Sequence, residues 1–154
     1  TIAHENNVQI AFDVADPFAV NRYRDEFLKM IKQHVDIVFT NQFELSILFD
    51  TEDIDESIKQ LMNIVDHGGI KLGKKGSCVF ENRKKHFITP KPISATDSTG
   101  AGDMYAAGFL ASLSKGNGCL QAGELGVFLA EEIIQNPGAQ FDIKIMERLK
   151  ETIL

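Results

Sequence analysis

The sequence predicts an α/β fold in three layers, a mainly parallel sheet with helices on both sides. Three observations predict it. Short β-branched runs alternate with longer helical segments as far as Leu72. Two more short runs then flank a tight turn, and after Asp97 only helical patterns remain. Strand, helix, strand, helix, strand is the order of parallel α/β packing. A chain of 154 residues is the size of one domain and long enough to bury a real core.

The elements follow in order. "VQIAFDV", Val8 to Val14, is a β-branched run that reads as a buried strand. A helix should start at "ADPF", because Asp16 can cap it and Pro17 suits its first position. Phe18, Tyr23, Phe27, Met30 and Ile31 roughly keep helical spacing. Val35 to Thr40, "VDIVFT", is the second strand, and "NQFELSILF" a short helix after it. In "TEDIDESIKQLMNIV", Asp53 and Glu56 have the spacing of a capping box. Ile54, Ile58, Leu61, Ile64 and Val65 form its apolar stripe. "GGIKLG" is a third strand, with Gly69 to Leu72 beside the first two. "SCVFE" and "KHFIT" flank Asn82 and Arg83 as a hairpin over 77–89, at or near a sheet edge. Helices are expected over roughly 102–114, 119–135 and 142–152, the last two separated by "NPGAQ".

Bulk properties narrow the function. The net charge is -6 and no basic stripe is evident, which argues against a nucleic-acid partner. No apolar run approaches the length of a membrane span. The polar "TIAHENNVQ" lacks the layout of a secretory signal. Cys78 and Cys119 have no CxxC spacing, and His4, His34, His67 and His86 form no ligand motif, so a transition-metal site is not expected. Unpaired cysteines suit a reducing cytoplasm.

The stretch "DSTGAGDMYAAGF", Asp97 to Phe109, raises a chemical question. Gly100 and Gly102 let the backbone turn, and the amides from Gly100 to Asp103 would then point outward at a helix N-terminus. Such free N–H groups, with the helix dipole, favour a phosphate. Asp103 would repel that anion. It makes sense there if it takes the proton from a hydroxyl that attacks the phosphate. A plainer reading stands beside this one: a first-turn Asp complements the dipole, and glycines are common before helices. Neither a Walker A loop nor a GxGxxG fingerprint is present.

"DSTGAGDMYAAGF" resembles the C-terminal signature of the ribokinase-like carbohydrate and nucleoside kinases, the pfkB family. "NQFE", Asn41 to Glu44, looks like the family's Asn-x-x-Glu element, and "KLGKKGS", Lys71 to Ser77, is similar to its nucleotide-side loop. "ADPFAVNRYRDEF" looks most like the adenosine-kinase-like branch. The resemblance implies ATP-dependent phosphoryl transfer to a hydroxyl of a nucleoside or sugar. Asp103 would be the base, and Gly100, Ala101 and Gly102 the anion hole. Glu44 would organise Mg2+ with Asn41 at the nucleotide. Lys71, Gly73 and Gly76 would line the nucleotide side. Asn136, Gly138 and Ala139 would lie near the adenine, with Val127 and Ala130 close by. Asp97 and Thr99 match a monovalent cation site, with K+ the candidate ion. Asn41 has a simpler role available as a helix cap, Glu44 as a first-turn carboxylate, Gly73 and Gly76 as turn residues, and Lys71 as a solvent-facing strand residue.

The resemblance covers the C-terminal part of such kinases. The N-terminal acceptor-binding part and its β-rich lid have no match in residues 1–154, and the chain reads as a piece of something longer. An edge beside the first strand is then expected to stand open. A homodimer, or association with the N-terminal part, would cover it. Other acceptors such as ribose, fructose or a keto-deoxy sugar stay open. So does a catalytically incomplete nucleotide-binding fragment.

Overall fold

The computed structural model describes residues 1–153, with side chains through 150. Five strands form one sheet in sequence order: β1 (Ala11–Asp13), β2 (Ile37–Asn41), β3 (His67–Lys71), β4 (Ser77–Glu81) and β5 (Lys84–Ile88). The first three run parallel, and β4 and β5 turn back antiparallel. Beside them lie α1 (Ile2–Glu5), α2 (Pro17–Arg22), α3 (Arg24–His34), α4 (Gln42–Phe49), α5 (Ile54–Met62), α6 (Ala101–Ser114), α7 (Cys119–Ile134) and α8 (Ile143–Ile153).

Alternation along the strands divides the core in two. Val38, Ile70, Cys78 and Phe80 face α2 to α5, where Val20, Ile31, Leu45, Leu48, Ile58 and Leu61 are buried. Ile37, Phe39 and Val79 face the opposite way, against Tyr105 and Phe109 of α6 and Ala122 of α7. Both parallel crossovers step the same way along the sheet, so their helices fall on one face. The other face is left for α6 and α7. This is the expected three-layer arrangement, with β1 to β3 adjacent, the hairpin at one edge and β1 at the other.

The departures have local causes. The first strand is shorter than Val8–Val14, since Val8 is 55% exposed and only Ala11–Asp13 pair with β2. The helix expected from Asp16 onward breaks at Tyr23, whose backbone lies at φ -127° and ψ 36°. Its predicted stripe is therefore half right: Ile31 is buried, while Phe18 is 87% exposed. Strand β2 lies slightly later than Val35–Thr40, and β3 slightly earlier than Gly69–Leu72. Helix α5 stops at Met62, short of Ile64 and Val65. Asp53 caps α5 by accepting from Asp55 and Glu56 N–H, but its own N–H goes to Thr51 Oγ1, so the expected return from Glu56 is not made. Helix α1 was not expected. Cys78 and Cys119 are buried free thiols, and burial pushes them up to about 11 and 12.

Helix α6 is held by close backbone approach. A Cβ on Gly69 would stand 2.7 Å from the Tyr105 ring, and one on Gly126 of α7 would stand 2.8 Å from the Tyr105 carbonyl oxygen. Tyr105 is thus wedged between β3 and α7. Gly126→Ala should lower stability despite the better helix propensity of alanine. The propensity gain is about 1 kcal/mol, while overpacking against a backbone oxygen costs about 1–3 kcal/mol. Denaturant unfolding of the two proteins checks the sign; an equal or higher midpoint for the variant would show that α6 and α7 part easily.

Candidate active site

The C-terminal ends of β1, β2 and β3 meet the N-terminus of α6. That is where open α/β sheets bind ligands. Gly100 precedes α6 at φ 80°, a left-handed turn natural to glycine. Ala139 packs against it, and a Cβ on Gly100 would lie 2.8 Å from the Ala139 Cβ. The expected row of outward amides is altered at one place. Ala101 N–H donates to the Ser98 carbonyl at 3.2 Å, so it is turned back into the loop. The N–H groups of Gly100, Gly102 and Asp103 have no acceptor among the described residues. Asp103 is exposed, and its carboxylate has no hydrogen bond or ion pair among them.

Asp97 fastens this loop. Its Oδ1 accepts from Thr99 N–H at 2.9 Å and Thr99 Oγ1 at 2.7 Å, and its Oδ2 accepts from Gly138 N–H at 3.0 Å. The Thr99 bonds first, then the Gly138 bond, hold the Asp97 carboxyl down at about 2. Asn136 is fixed by its own side chain, which donates to the Glu132 carbonyl at 2.8 Å. The structure therefore brings Gly138 and Ala139 beside the loop before α6, while Asn136 is tied to the end of α7. Asp97 thus staples the turn at Thr99 to the Gly138 backbone.

At the end of β2, Asn41 and Glu44 make a reciprocal capping box. Asn41 Oδ1 accepts from Phe43 and Glu44 N–H at 2.9 and 3.0 Å, and Glu44 Oε2 accepts from Asn41 N–H at 2.8 Å. Thr40 Oγ1 also donates to Oε2, and Asn41 Nδ2 to Oε1. Glu44 is 2% exposed, and every partner it has is neutral. A buried carboxylate of this kind fits a hydrated magnesium, which keeps several waters. Its engaged oxygens would hold those waters rather than the ion.

Lys71 does not point at solvent. It ends β3 opposite Asn41 in the register, and its ammonium pairs with Asp13 Oδ2 at 2.8 Å. The same Nζ would be 3.3 Å from a Cβ on Gly102, so it lies against the first turn of α6. Asp13 is the site residue that sequence reasoning missed. The signal was present, because a carboxylate interrupts the apolar run "VQIAFDV".

The remaining expected residues shape the surroundings. Gly73 opens a short 3-10 turn at φ 60°, and Gly76 closes it at φ 88° beneath Ile88 and Pro90. Both thus act as turn residues. Val127 belongs to the core behind α6, with Ala130 packed against it. Two surface cavities lie elsewhere, one lined by Asp53, Lys59, Arg83 and Lys85, the other by His4, His34, Asp36 and His67. Neither includes an expected site residue.

A family model described as pfkB family carbohydrate kinase matches residues 1–146. A nucleoside kinase of Methanocaldococcus jannaschii is 30% identical over 159 aligned residues, covering 97% of this chain and 49% of that protein. A ribokinase of Haemophilus influenzae is 30% identical over 156, covering 97% and 49%. Among solved structures, the adenosine kinase from Sinorhizobium meliloti superposes with a TM-score of 0.91 at 31% identity, covering 98% of this chain and 47% of that one. The chain spans about half the length of the curated relatives it matches. With the family matched over nearly its whole length, the chain belongs to the pfkB family of carbohydrate kinases.

Proposed function

We propose that residues 1–154 are the nucleotide-binding and catalytic C-terminal part of a kinase that moves the terminal phosphoryl group of ATP to a hydroxyl of a nucleoside or sugar. Adenosine is the leading acceptor. The observation that carries the reading is the first turn of α6, where unsatisfied N–H groups, a lysine ammonium and an exposed carboxylate share one end of the sheet. Donors and ammonium suit an anion, while the carboxylate suits a proton to be removed.

In this reading the Gly100, Gly102 and Asp103 amides, with Ala101 shaping the turn, hold the phosphoryl oxygens. Asp103 accepts the proton of the attacking hydroxyl. Lys71 neutralises phosphate charge, and Gly73 and Gly76 shape the loop beside it. Asn136, Gly138 and Ala139 border the base, held to Gly100 by the Asp97 staple. Val127 and Ala130 form the packed wall behind. Glu44 and Asn41 would hold the waters of Mg2+, whose part is to offset charge on the phosphates. A K+ ion beside this loop would use the acceptor capacity that Asp97 and Thr99 keep beyond these hydrogen bonds.

The adenosine kinase neighbour supports the adenosine assignment, and the ribokinase relative keeps a sugar acceptor in view as the second reading. The acceptor pocket would come from an N-terminal part pairing along the β1 edge. A cytoplasmic setting suits an ATP-dependent enzyme with two buried free thiols.

Two measurements test the reading. Isothermal titration of the folded chain with Mg-ATP should show saturable binding. A cooperatively folded sample that gives no heat at millimolar nucleotide would remove the nucleotide site. In protein that also carries the acceptor-binding part, Asp103→Asn should cut kcat by about 10²–10⁴ and leave the ATP Kd largely unchanged. The amides belong to the backbone and survive the change; the proton acceptor does not. A variant keeping more than about a tenth of the activity lies outside the general-base range and would reduce Asp103 to a partner of the helix dipole.

A further inference from the structure

Lys71 stands where a lysine would not rest unaided. The N-terminus of α6 carries a partial positive charge, so an ammonium against its first turn is repelled. A lysine side chain is long and flexible, and without an anion it would swing into solvent. Asp13 is that anion. It reaches over the end of β2, the strand between β1 and β3, and its Oδ1 and Oδ2 lie 3.2 and 2.8 Å from Nζ. The two side chains are 26% and 20% exposed, so the pair is sheltered but open on one side. An ammonium has three N–H donors. Both carboxylate contacts come from the β1 side, which leaves donors for an oxygen arriving over Gly100 to Asp103.

We propose that Asp13 is a positioning residue, whose ion pair holds the Lys71 ammonium at the N-terminus of α6 to meet the phosphate oxygens of a bound nucleotide. The inference rests on the phosphoryl-transfer reading above. Asp13 touches no ligand itself and acts only through Lys71. Two opposed effects follow from its charge. It orders the ammonium, which aids phosphate binding, and it repels the phosphate directly. With Lys71 present the ordering effect prevails; without Lys71 only the repulsion is left.

A double-mutant cycle separates this role from a purely structural tie between strands. Mg-ATP Kd is measured by titration on the whole chain for wild type, Asp13→Asn, Lys71→Met and the double variant. Lys71→Met should weaken Mg-ATP about 10- to 100-fold, the range of a charge-assisted hydrogen bond. Asp13→Asn should weaken it about 3- to 10-fold. In the Lys71→Met background the same Asp13 change should leave Kd unchanged or tighten it, a coupling well beyond additivity. Both side chains reach solvent, so a lone partner can be hydrated and each variant should melt cooperatively. A second readout needs no variant: saturating Mg-ATP should slow acylation of Lys71 several-fold in the wild-type chain, read by mass spectrometry. Equal weakening by Asp13→Asn in both backgrounds, tighter binding in Asp13→Asn alone, or Lys71 acylation unaffected by Mg-ATP overturns the inference and leaves the kinase reading intact. Folded wild-type chain that binds no Mg-ATP overturns both.

Discussion

Everything at the candidate site depends on how tightly α6 is pressed between the sheet and α7. The contact is made by Tyr105, whose ring lies on Gly69 and whose backbone lies on Gly126. Gly108 repeats the pattern one turn on, where a Cβ would be 2.8 Å from the Leu125 carbonyl oxygen. The Gly69 contact sets the height of α6 over β3, and the other two set its distance from α7. The height decides whether Lys71 can reach the first turn. It also explains the composition of "DSTGAGDMYAAGF". The two early glycines shape the turn and make room for the ammonium, and the later small residues let two helices and a sheet approach without side chains between them.

Much of this architecture was legible because it rests on local rules. Asp16 and Pro17 did start a helix, and Asn82 and Arg83 took the positive φ angles that a tight hairpin turn needs. The errors share a cause as well. Phe18 and Tyr23 fit a helical stripe by count, yet the chain breaks at Tyr23 and leaves both exposed. Spacing says which residues could share a face, but not whether the helix persists long enough to present it. The capping boxes show the same limit. Asp53 and Glu56 had the right spacing and made half a box, whereas Asn41 and Glu44 made a whole one. Which acceptor an N–H prefers depends on neighbours such as Thr51, and spacing does not weigh those.

The site residues divide by whether the fold already uses them. Glu44 is buried and its carboxylate accepts three hydrogen bonds, as does that of Asp97. Asp103 accepts none among the described residues and stands in the open. Donors already seated on a carboxylate leave less room for an incoming hydroxyl. Of these three carboxylates, Asp103 is the one open to a hydroxyl arriving from solvent. The other two hold backbone in place: Glu44 at the head of α4, and Asp97 between the loop before α6 and the loop after α7. The resemblance alone groups all of them as functional. The hydrogen bonds give them different work.

A physical reason also exists for the spread of acceptors among relatives that match this chain equally well. On the proposed reading, this part of the enzyme handles the substrate that all such kinases share. Backbone amides at a helix N-terminus recognise phosphate oxygens whatever hydroxyl will receive them. A lysine held by Asp13 adds charge in the same acceptor-blind way, and a base on the first turn needs only a hydroxyl within reach. Nothing in this set measures a ring, a base or a carboxylate on the acceptor. Selection for a particular sugar or nucleoside must then act on groups outside the amides, Lys71 and Asp103. The surfaces open to it here are the β1 edge and the exposed Phe18 and Phe43, at the N-terminal turns of α2 and α4. Both aromatics lie just after strands that end at the site. Identity over the phosphate machinery therefore carries little information about the acceptor, and a nucleoside kinase and a ribokinase are each 30% identical to this chain.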